Sequence, residues 1–403
     1  MKKIVAMMLA LVLVLSMASV AWAAEGDTAP ATTTSQNHGT KNSSAFTPNT
    51  ALDSKQTLTI VKGYAINDAD DNTNKHPGDT LTFTQSSSEY YFNGVKDTTV
   101  TPPAVTITSP GTITEGTAKA ELKVQLPDYT GCKVGEYVYY LTETDAKTAG
   151  VTYNYTSTNP LVLKVTLINE TDEETGELTG NVIIGGIALR DGGADGVNAG
   201  NANNSTKKLD STTGSKDDVH NEYEYGKITV DKTVTGNMGD TTKPWIFKLT
   251  LTPATGETVR GTVNISGSGT YVGTTAPTAD TNGNVTGNTA ASPLTIAPEW
   301  STKQEVYFTL TSGQNLSFDN IPEGVAWTIE EVEANKYGYT TTKASTESGT
   351  IAAKSDIKAS YVNDKSQTPD TGVSVTMVPY LMILAVAMVG AAMMIIRRRK
   401  ENM

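Results

Sequence analysis

Cysteine, histidine and clustered positive charge are scarce in this chain. The 403 residues include one cysteine, Cys132, so no disulfide can form within the chain. Three histidines and one cysteine offer no set of transition-metal ligands, and we expect neither a metal nor another cofactor. The net charge is −12 and no basic stripe is present, which disfavours nucleic acid as a partner. Cys132 has no activating base nearby in sequence, so we interpret it as a small core or near-core residue.

Helical periodicity is also lacking between the two ends of the chain. Short runs such as LVLKVTL and IFKLTL alternate apolar and polar residues instead, and clusters of Gly, Asn, Asp and Pro separate them. Runs of this kind are typical of half-buried strands. The sequence therefore predicts an all-β fold of β-sandwiches. No site for a turnover enzyme is visible, and we predict that the protein is not an enzyme.

Both ends of the chain carry apolar segments. Residues 1–23 combine Lys2 and Lys3, an apolar core and the small residues Ala21 and Ala23, which is the layout of a cleaved secretory signal peptide. Val373–Ile396 is uncharged and long enough to cross a bilayer. The basic tail 397–403 follows, and its arginines place it in the cytoplasm. The sequence thus predicts an exported protein with a C-terminal membrane segment.

Between these segments, three types of residue recur in the same order. A Lys lies in phase with apolar neighbours in TLTIVKGY and KITVDKTV, a Glu in YLTETDA and WTIEEVE, and an Asn in DVHNEY and SYVNDK. This repeat indicates two tandem domains that meet near Tyr223, with Gly192–Lys216 as a surface excursion of the first domain. The predicted segments are a flexible stretch at 24–51, domain one at 52–222, domain two at 223–365 and a short motif at 366–372.

Strand geometry then predicts where these side chains point. Residues two apart on a strand face the same side, so Lys62 shares a face with Ile60, and Lys232 shares one with Val230. The same phase relation applies to Glu143 and Glu331, and to Asn221 and Asn363. If the apolar face is the core, all six polar side chains are buried.

Burial gives these residue types a specific chemistry. A buried Lys tends to become neutral, and a neutral amine is a nucleophile. An Asn carboxamide on an adjacent strand is an electrophile, and a protonated Glu can polarise that amide and move protons. The expected product is a Lys–Asn isopeptide bond, formed once per site with loss of ammonia. The alternative is that each of these residues faces solvent on an edge strand; the repetition in the same order favours the cross-link.

These motifs resemble the backbone subunits of Gram-positive sortase-assembled pili, in particular the two-domain streptococcal backbone pilins with an isopeptide bond in each domain. The matching segments are LTIVK, YxLxETxA at Tyr139–Ala146 and VHN in domain one, and ITVDKTVTGN, FTLTSGQNLSFDNIPEGVAWTIEE and YVN in domain two. The resemblance implies Ig-like (CnaB-type) sandwiches. It also implies bonds from Lys62 to Asn221 and from Lys232 to Asn363, assisted by Glu143 and Glu331 respectively.

The segment Thr368-Pro369-Asp370-Thr371-Gly372 precedes the apolar span and the basic tail. This three-part layout is similar to a sortase cell-wall sorting signal, with Thr368 where the family has Leu, and it implies cleavage between Thr371 and Gly372. An ordinary juxtamembrane turn is the alternative. Polymerisation also needs a Lys that accepts the next subunit's Thr371; by the resemblance the candidates are Lys216, then Lys207 and Lys208.

The sequence therefore predicts a structural subunit of a cell-surface pilus. Its expected partners are a sortase, other pilin subunits, peptidoglycan and a host surface ligand. The alternative function is that of an adhesin with the same domains, anchored singly to the cell wall.

Overall fold

A computed structural model describes residues 57–70, 76–117, 119–172, 174–192, 208–343, 346–368 and 378–401. The predicted signal peptide, the stretch 24–51 and the motif from residue 369 onward lie outside these residues. The described chain consists mainly of strands, and the predicted all-β fold is confirmed.

Fourteen strands lie in the first half of the described chain, residues 57–223. They are β1 Thr57–Ile66, β2 Ala69–Asp70, β3 Asp79–Leu81, β4 Phe83–Phe92, β5 Val95–Lys96, β6 Thr106–Thr108, β7 Gly111–Ile113, β8 Ala120–Gln125, β9 Gly135–Glu143, β10 Val151–Thr152, β11 Leu161–Thr171, β12 Leu178–Asp191, β13 Lys208–Leu209 and β14 His220–Tyr223.

Thirteen strands lie in the second half, residues 225–364, and a helix follows. They are β15 Tyr225–Thr235, β16 Trp245–Thr252, β17 Val263–Gly267, β18 Thr270–Gly273, β19 Thr278–Ala279, β20 Val285–Thr286, β21 Thr295–Ile296, β22 Gln304–Leu310, β23 Asn315–Pro322, β24 Ala326–Glu331, β25 Thr340–Thr342, β26 Ser348–Thr350, β27 Asp356–Asp364 and the helix α1 Val378–Glu401.

Each half is a sandwich of two main sheets. In the first half, the order β10-β14-β1-β8-β6, with β2 also paired to β1, faces the order β13-β12-β11-β9-β4-β5. In the second half, β21-β17-β23-β15-β27-β25 faces β18-β22-β16-β24-β26. The strands have alternating burial, as in β15, where Ile228, Val230 and Val234 point inward. Alternation of this kind buries one face of each sheet and so produces the two-layer core.

The first and last strands of each half lie side by side. β1 pairs with β14 in parallel, and β15 pairs with β27 in parallel. All other pairings between these strands and their neighbours are antiparallel in the described part of the chain. Residues more than one hundred positions apart in sequence are thus brought together at the centre of a sheet.

The two halves meet around Glu224, which lies between β14 and β15. Arg260 donates hydrogen bonds to the carbonyl oxygen of Ala146, at 3.2 Å, and to Oγ1 of Thr148, at 2.6 Å. The buried Tyr223 hydroxyl, which belongs to the last strand of the first half, donates to Oδ1 of Asn320 at 3.0 Å. Side chains of each half therefore bind the other directly.

The interpretation of 192–216 as a surface excursion is wrong for the part that the structure describes from residue 208. Leu209 and Ser211 are buried, and the Ser211 carbonyl accepts a 2.6 Å hydrogen bond from the backbone N–H of Val61. A side chain at Gly63 would lie 1.8 Å from the Gly214 carbonyl oxygen, so only glycine permits this approach. The segment thus covers β1 beside Lys62, although Thr213 within it is exposed, and the chain is exposed again at Lys216.

The helix α1 contains the apolar segment Pro379–Arg399, with a mean hydropathy of 2.3. Its length and composition suffice to cross a membrane, and the apolar side chains along it are exposed. The predicted C-terminal apolar helix is confirmed.

Candidate functional site

The first site lies in the core of the first half and contains Lys62, Glu143 and Asn221. Lys62 Nζ donates to Asn221 Oδ1 at 2.7 Å and lies 3.1 Å from Glu143 Oε2. Asn221 Nδ2 donates to the other carboxylate oxygen, Glu143 Oε1, at 3.1 Å. All three residues are buried. The amine thus touches the carboxamide, and one carboxyl group contacts both.

The second site repeats this set with Lys232, Glu331 and Asn363. Lys232 Nζ lies 3.0 and 3.1 Å from the two carboxylate oxygens of Glu331, and Asn363 Nδ2 donates to Glu331 Oε1 at 2.6 Å. The three residues are again buried. Asn363 Oδ1 is buried without a hydrogen-bond partner, which leaves the carbonyl of the carboxamide open to a donor.

Strand register explains why the two sites look alike. Asn221 lies opposite Tyr64 on β1, two residues after Lys62. In the second half Asn363 lies opposite Val234, two residues after Lys232. Side chains two apart face the same side, so each Lys and its Asn project into the same core from adjacent parallel strands. The facing sheet supplies the Glu in both cases.

Aromatic rings line both sites, and sequence reasoning did not find them. Lys62 Nζ lies 5.4 Å from the ring centroid of Phe83 and 4.9 Å from that of Tyr155. Phe83 lies directly opposite Glu143 in the sheet, which places its ring beside the Lys.

The second site has the corresponding rings. Lys232 Nζ lies 4.8 Å from the centroid of Trp245 and 5.9 Å from that of Phe247, and Phe247 lies directly opposite Glu331. Rings at these distances attract an ammonium group but exclude water from it. In both sites a Phe lies opposite the Glu on the neighbouring strand. This signal can be found only once the register between the two strands is known.

Burial changes the proton affinity of each Lys and Glu. It lowers the pKa of Lys62, against the opposing effect of Glu143, and it lowers the pKa of Lys232 to about 8, against that of Glu331. Burial also raises the pKa of Glu143 and of Glu331, although the neighbouring Lys opposes this. Both effects favour a neutral amine next to a protonated carboxyl group. Such a pair combines a nucleophile with an acid that can protonate a leaving amide nitrogen.

The remaining predicted residues are those of the sorting motif and the candidate accepting lysines. Thr371, Gly372 and Lys207 fall outside the described residues, and of Lys208 only the backbone, in β13, is described. Lys216 is exposed and lines a polar cavity of about 280 Å³ together with Asp217, Asp218 and other residues. The structure thus does not bring Lys216, the candidate acceptor whose side chain is described, into either buried site.

Cys132 is partly buried against the core of the first half, in agreement with its interpretation as a core or near-core residue. Burial raises the pKa of the Cys132 thiol, so little of the reactive thiolate forms at neutral pH.

Comparisons with known proteins identify relatives of both halves. Residues 226–365 match a family described as Domain of unknown function (DUF7601). A protein named Pilin from Streptococcus pyogenes serotype M1 is 24% identical over 321 residues, which cover 76% of this chain and 80% of the relative. This chain therefore resembles a streptococcal pilin.

Solved structures of streptococcal major pilins also align with this chain. The major pilin from Streptococcus pyogenes aligns with 21% identity and a TM-score of 0.41, over 78% of this chain and 100% of that one. The major pilin protein T3.2 from Streptococcus pyogenes serotype GAS13637 aligns with 17% identity and a TM-score of 0.39, over 77% and 98%.

Proposed function

We propose that this protein is a structural subunit of a cell-surface pilus that cross-links itself within each half and is then joined by a sortase through Thr371. The observation that carries the proposal is the buried Lys–Glu–Asn set, present once in each half between the first and last strands. The resemblance to a streptococcal pilin over 76% of the chain supports the same conclusion. Residues 52–222 and 223–365 are then two tandem domains.

The cross-linking step needs no co-reactant. The neutral Nζ of Lys62 attacks Cγ of Asn221, a C–N bond forms, and the Cγ–Nδ2 bond breaks. Glu143, which contacts both nitrogens, takes a proton from Nζ and gives one to Nδ2, and ammonia leaves. Lys232, Glu331 and Asn363 react in the same way. Two buried polar groups are thereby replaced by one neutral amide at each site.

The position of the bonds suits a protein that bears tension. Force that enters the first half at Thr57 runs along β1 to Lys62, crosses to Asn221 and leaves at the end of β14. In the second half, force runs from Tyr225 to Lys232 and crosses to Asn363, one residue before β27 ends. Most of each half then lies outside the load path, so it can be neither extended nor unfolded by pulling on its ends.

The protonation state of Lys232 predicts a pH dependence for closure of the second half, by which we mean formation of the bond between Lys232 and Asn363. Below about pH 8 the amine is increasingly protonated and cannot attack, so the rate should rise from pH 6 to pH 8 and then level off. Unreacted chain can be recovered unfolded from inclusion bodies, diluted from urea at each pH and sampled by mass spectrometry. Tryptophan fluorescence provides the folding rate as a control. A closure rate that does not change over this range, while folding is complete, would contradict the role of the neutral amine.

Polymerisation is proposed to join Thr371 of one subunit to a Lys of the next. The sortase breaks the Thr371–Gly372 peptide bond, and the Thr371 carbonyl forms an amide with the accepting amine. Lys216 is the favoured acceptor, because the resemblance implies a Lys just upstream of Asn221, and the side chain of Lys216 is exposed. Peptidoglycan is the proposed final point of attachment, and a host surface ligand is a proposed partner of the assembled pilus.

Wall extracts of cells with the native protein are expected to show a ladder of high-molecular-weight species on denaturing gels, and Lys216→Ala is expected to abolish it. Lys133→Ala, which removes another lysine of the first half, is the control and should leave the ladder intact. If Lys216→Ala keeps the ladder, another lysine is the acceptor. A single band from the native protein would show a singly anchored adhesin and not a pilus subunit.

A further inference from the structure

Lys243 and Glu333 form a second buried ion pair in the second half, next to the proposed cross-linking site. Lys243 Nζ lies 3.4 Å from Glu333 Oε1, and the two side chains are 9% and 2% exposed. Lys243 also donates to the carbonyl oxygen of Gly283. Burial of two charges costs desolvation energy that apolar residues of similar volume would avoid. The pair therefore calls for an explanation in terms of what it holds in place.

The pair contacts the start of β16 and the ring of Trp245, which covers Lys232. Lys243 Nζ lies 4.7 Å from the ring centroid of Trp245, and Lys232 Nζ lies 4.8 Å from the same centroid. Glu333 Oε2 accepts a 3.1 Å hydrogen bond from the backbone N–H of Ile246, the residue after Trp245. The indole ring thus contacts the Nζ atoms of both Lys243 and Lys232, and the backbone beside it is held by Glu333.

We propose that Lys243 and Glu333 are positioning residues for the bond between Lys232 and Asn363, an inference that rests on the proposed function. They hold the Trp245 ring against the Lys232 amine, so that the amine stays between the ring and Glu331. Attack on a carboxamide requires a defined approach, and small displacements of the nucleophile slow such reactions strongly.

The first half has different residues at the positions that correspond to Lys243 and Trp245. Phe83 and Phe247 are equivalent, because each lies opposite the Glu of its site. Four residues before Phe247 is Lys243, whereas four residues before Phe83 is Asp79. The residue that corresponds to Trp245 is Leu81.

Asp79 supports the first half in a different way. Its buried carboxylate accepts hydrogen bonds from the hydroxyl groups of Tyr64, Thr148 and Tyr153 at 2.8 to 2.9 Å. Removal of the Lys243 charge should therefore affect only the second bond, and the first bond serves as an internal control in the same molecule.

The test uses the ectodomain, which we define as residues 24–372, between the predicted signal peptide and the apolar segment. The rate of ammonia loss is measured in each of its halves after dilution of unreacted chain from urea. Lys243→Met keeps most of the length of the side chain but removes its charge, and it is expected to slow closure of the second half about tenfold without slowing the first. Lys243→Arg keeps a cation that can stack on the ring and should restore most of the rate. Lys248→Met, on the same sheet but paired with the half-exposed Glu330, is the matched control.

Two results would overturn the inference. In the first, folded Lys243→Met closes its second half at the native rate. In the second, Lys243→Met slows both halves equally, which would indicate a general folding defect. If the native chain loses no ammonia in its second half, the proposed function itself fails. If the native chain closes normally and Lys243→Met closes equally fast, only the positioning role fails.

Discussion

Glu331→Gln is expected to yield an ectodomain that is heavier than the native one by approximately the mass of one ammonia molecule. Without the carboxyl group, nothing at the second site can take the proton from Lys232 and protonate the nitrogen that leaves Asn363. The first site is independent, because its three residues lie in the core of the other half. Intact-mass measurement of the purified ectodomain checks the prediction.

The neighbouring residue provides the control. Glu330→Gln changes a carboxylate that is 56% exposed and paired with Lys248, so both bonds should still form. Glu143→Gln should leave only the bond of the second half, and the double variant Glu143→Gln with Glu331→Gln should retain both ammonia equivalents. A Glu331→Gln protein that still lost both would show that this residue has no part in the reaction.

Lys232→Met is expected to lower the free energy of unfolding of the second half by about 4–5 kcal/mol, the value for loss of a cross-link that closes a loop of more than one hundred residues. The bond constrains the unfolded chain, since it joins the first strand to the last. For a unit of this size the loss corresponds to a fall in Tm of roughly 10–20 °C. Calorimetry of the ectodomain measures both quantities.

Lys227→Met is the matched control for this effect. Lys227 lies on the same strand, β15, but its exposed amine pairs with Asp356 at 3.0 Å, so its loss should change stability little. Trypsin resistance should follow the same order, with Lys232→Met cut first. Equal stabilities of Lys232→Met and Lys227→Met would contradict covalent closure of the second half.

Much of the site could be predicted from the sequence, because it depends on a period of two. The alternation in TLTIVKGY and KITVDKTV places Lys62 and Lys232 inside, and the structure buries both. The repeated order of Lys, Glu and Asn then indicates which polar residues share a core. Local periodicity and repetition were sufficient for these residues, since neither requires knowledge of which strands are neighbours.

The surroundings of the site could not be predicted in this way, because they depend on register between distant strands. The rings of Tyr155 and Trp245 come from segments that show no relation to Lys62 or Lys232 in sequence. In the sequence, Lys243 and Glu333 look like ordinary surface charges. Their buried contact becomes visible only when β16 and β24 are known to be neighbours. Likewise, Ser211 lies in a polar, glycine-rich stretch, and nothing in that stretch indicates its burial or its backbone hydrogen bond to Val61.

The central claim is that the folded protein closes both halves covalently. The most direct measurement is the intact mass of the native ectodomain, followed by sequencing of its tryptic peptides. We predict a mass lower than the sequence value by two ammonia molecules, with Lys62 joined to Asn221 and Lys232 joined to Asn363. A mass equal to the sequence value, with all four residues recovered in unlinked peptides, would contradict the account.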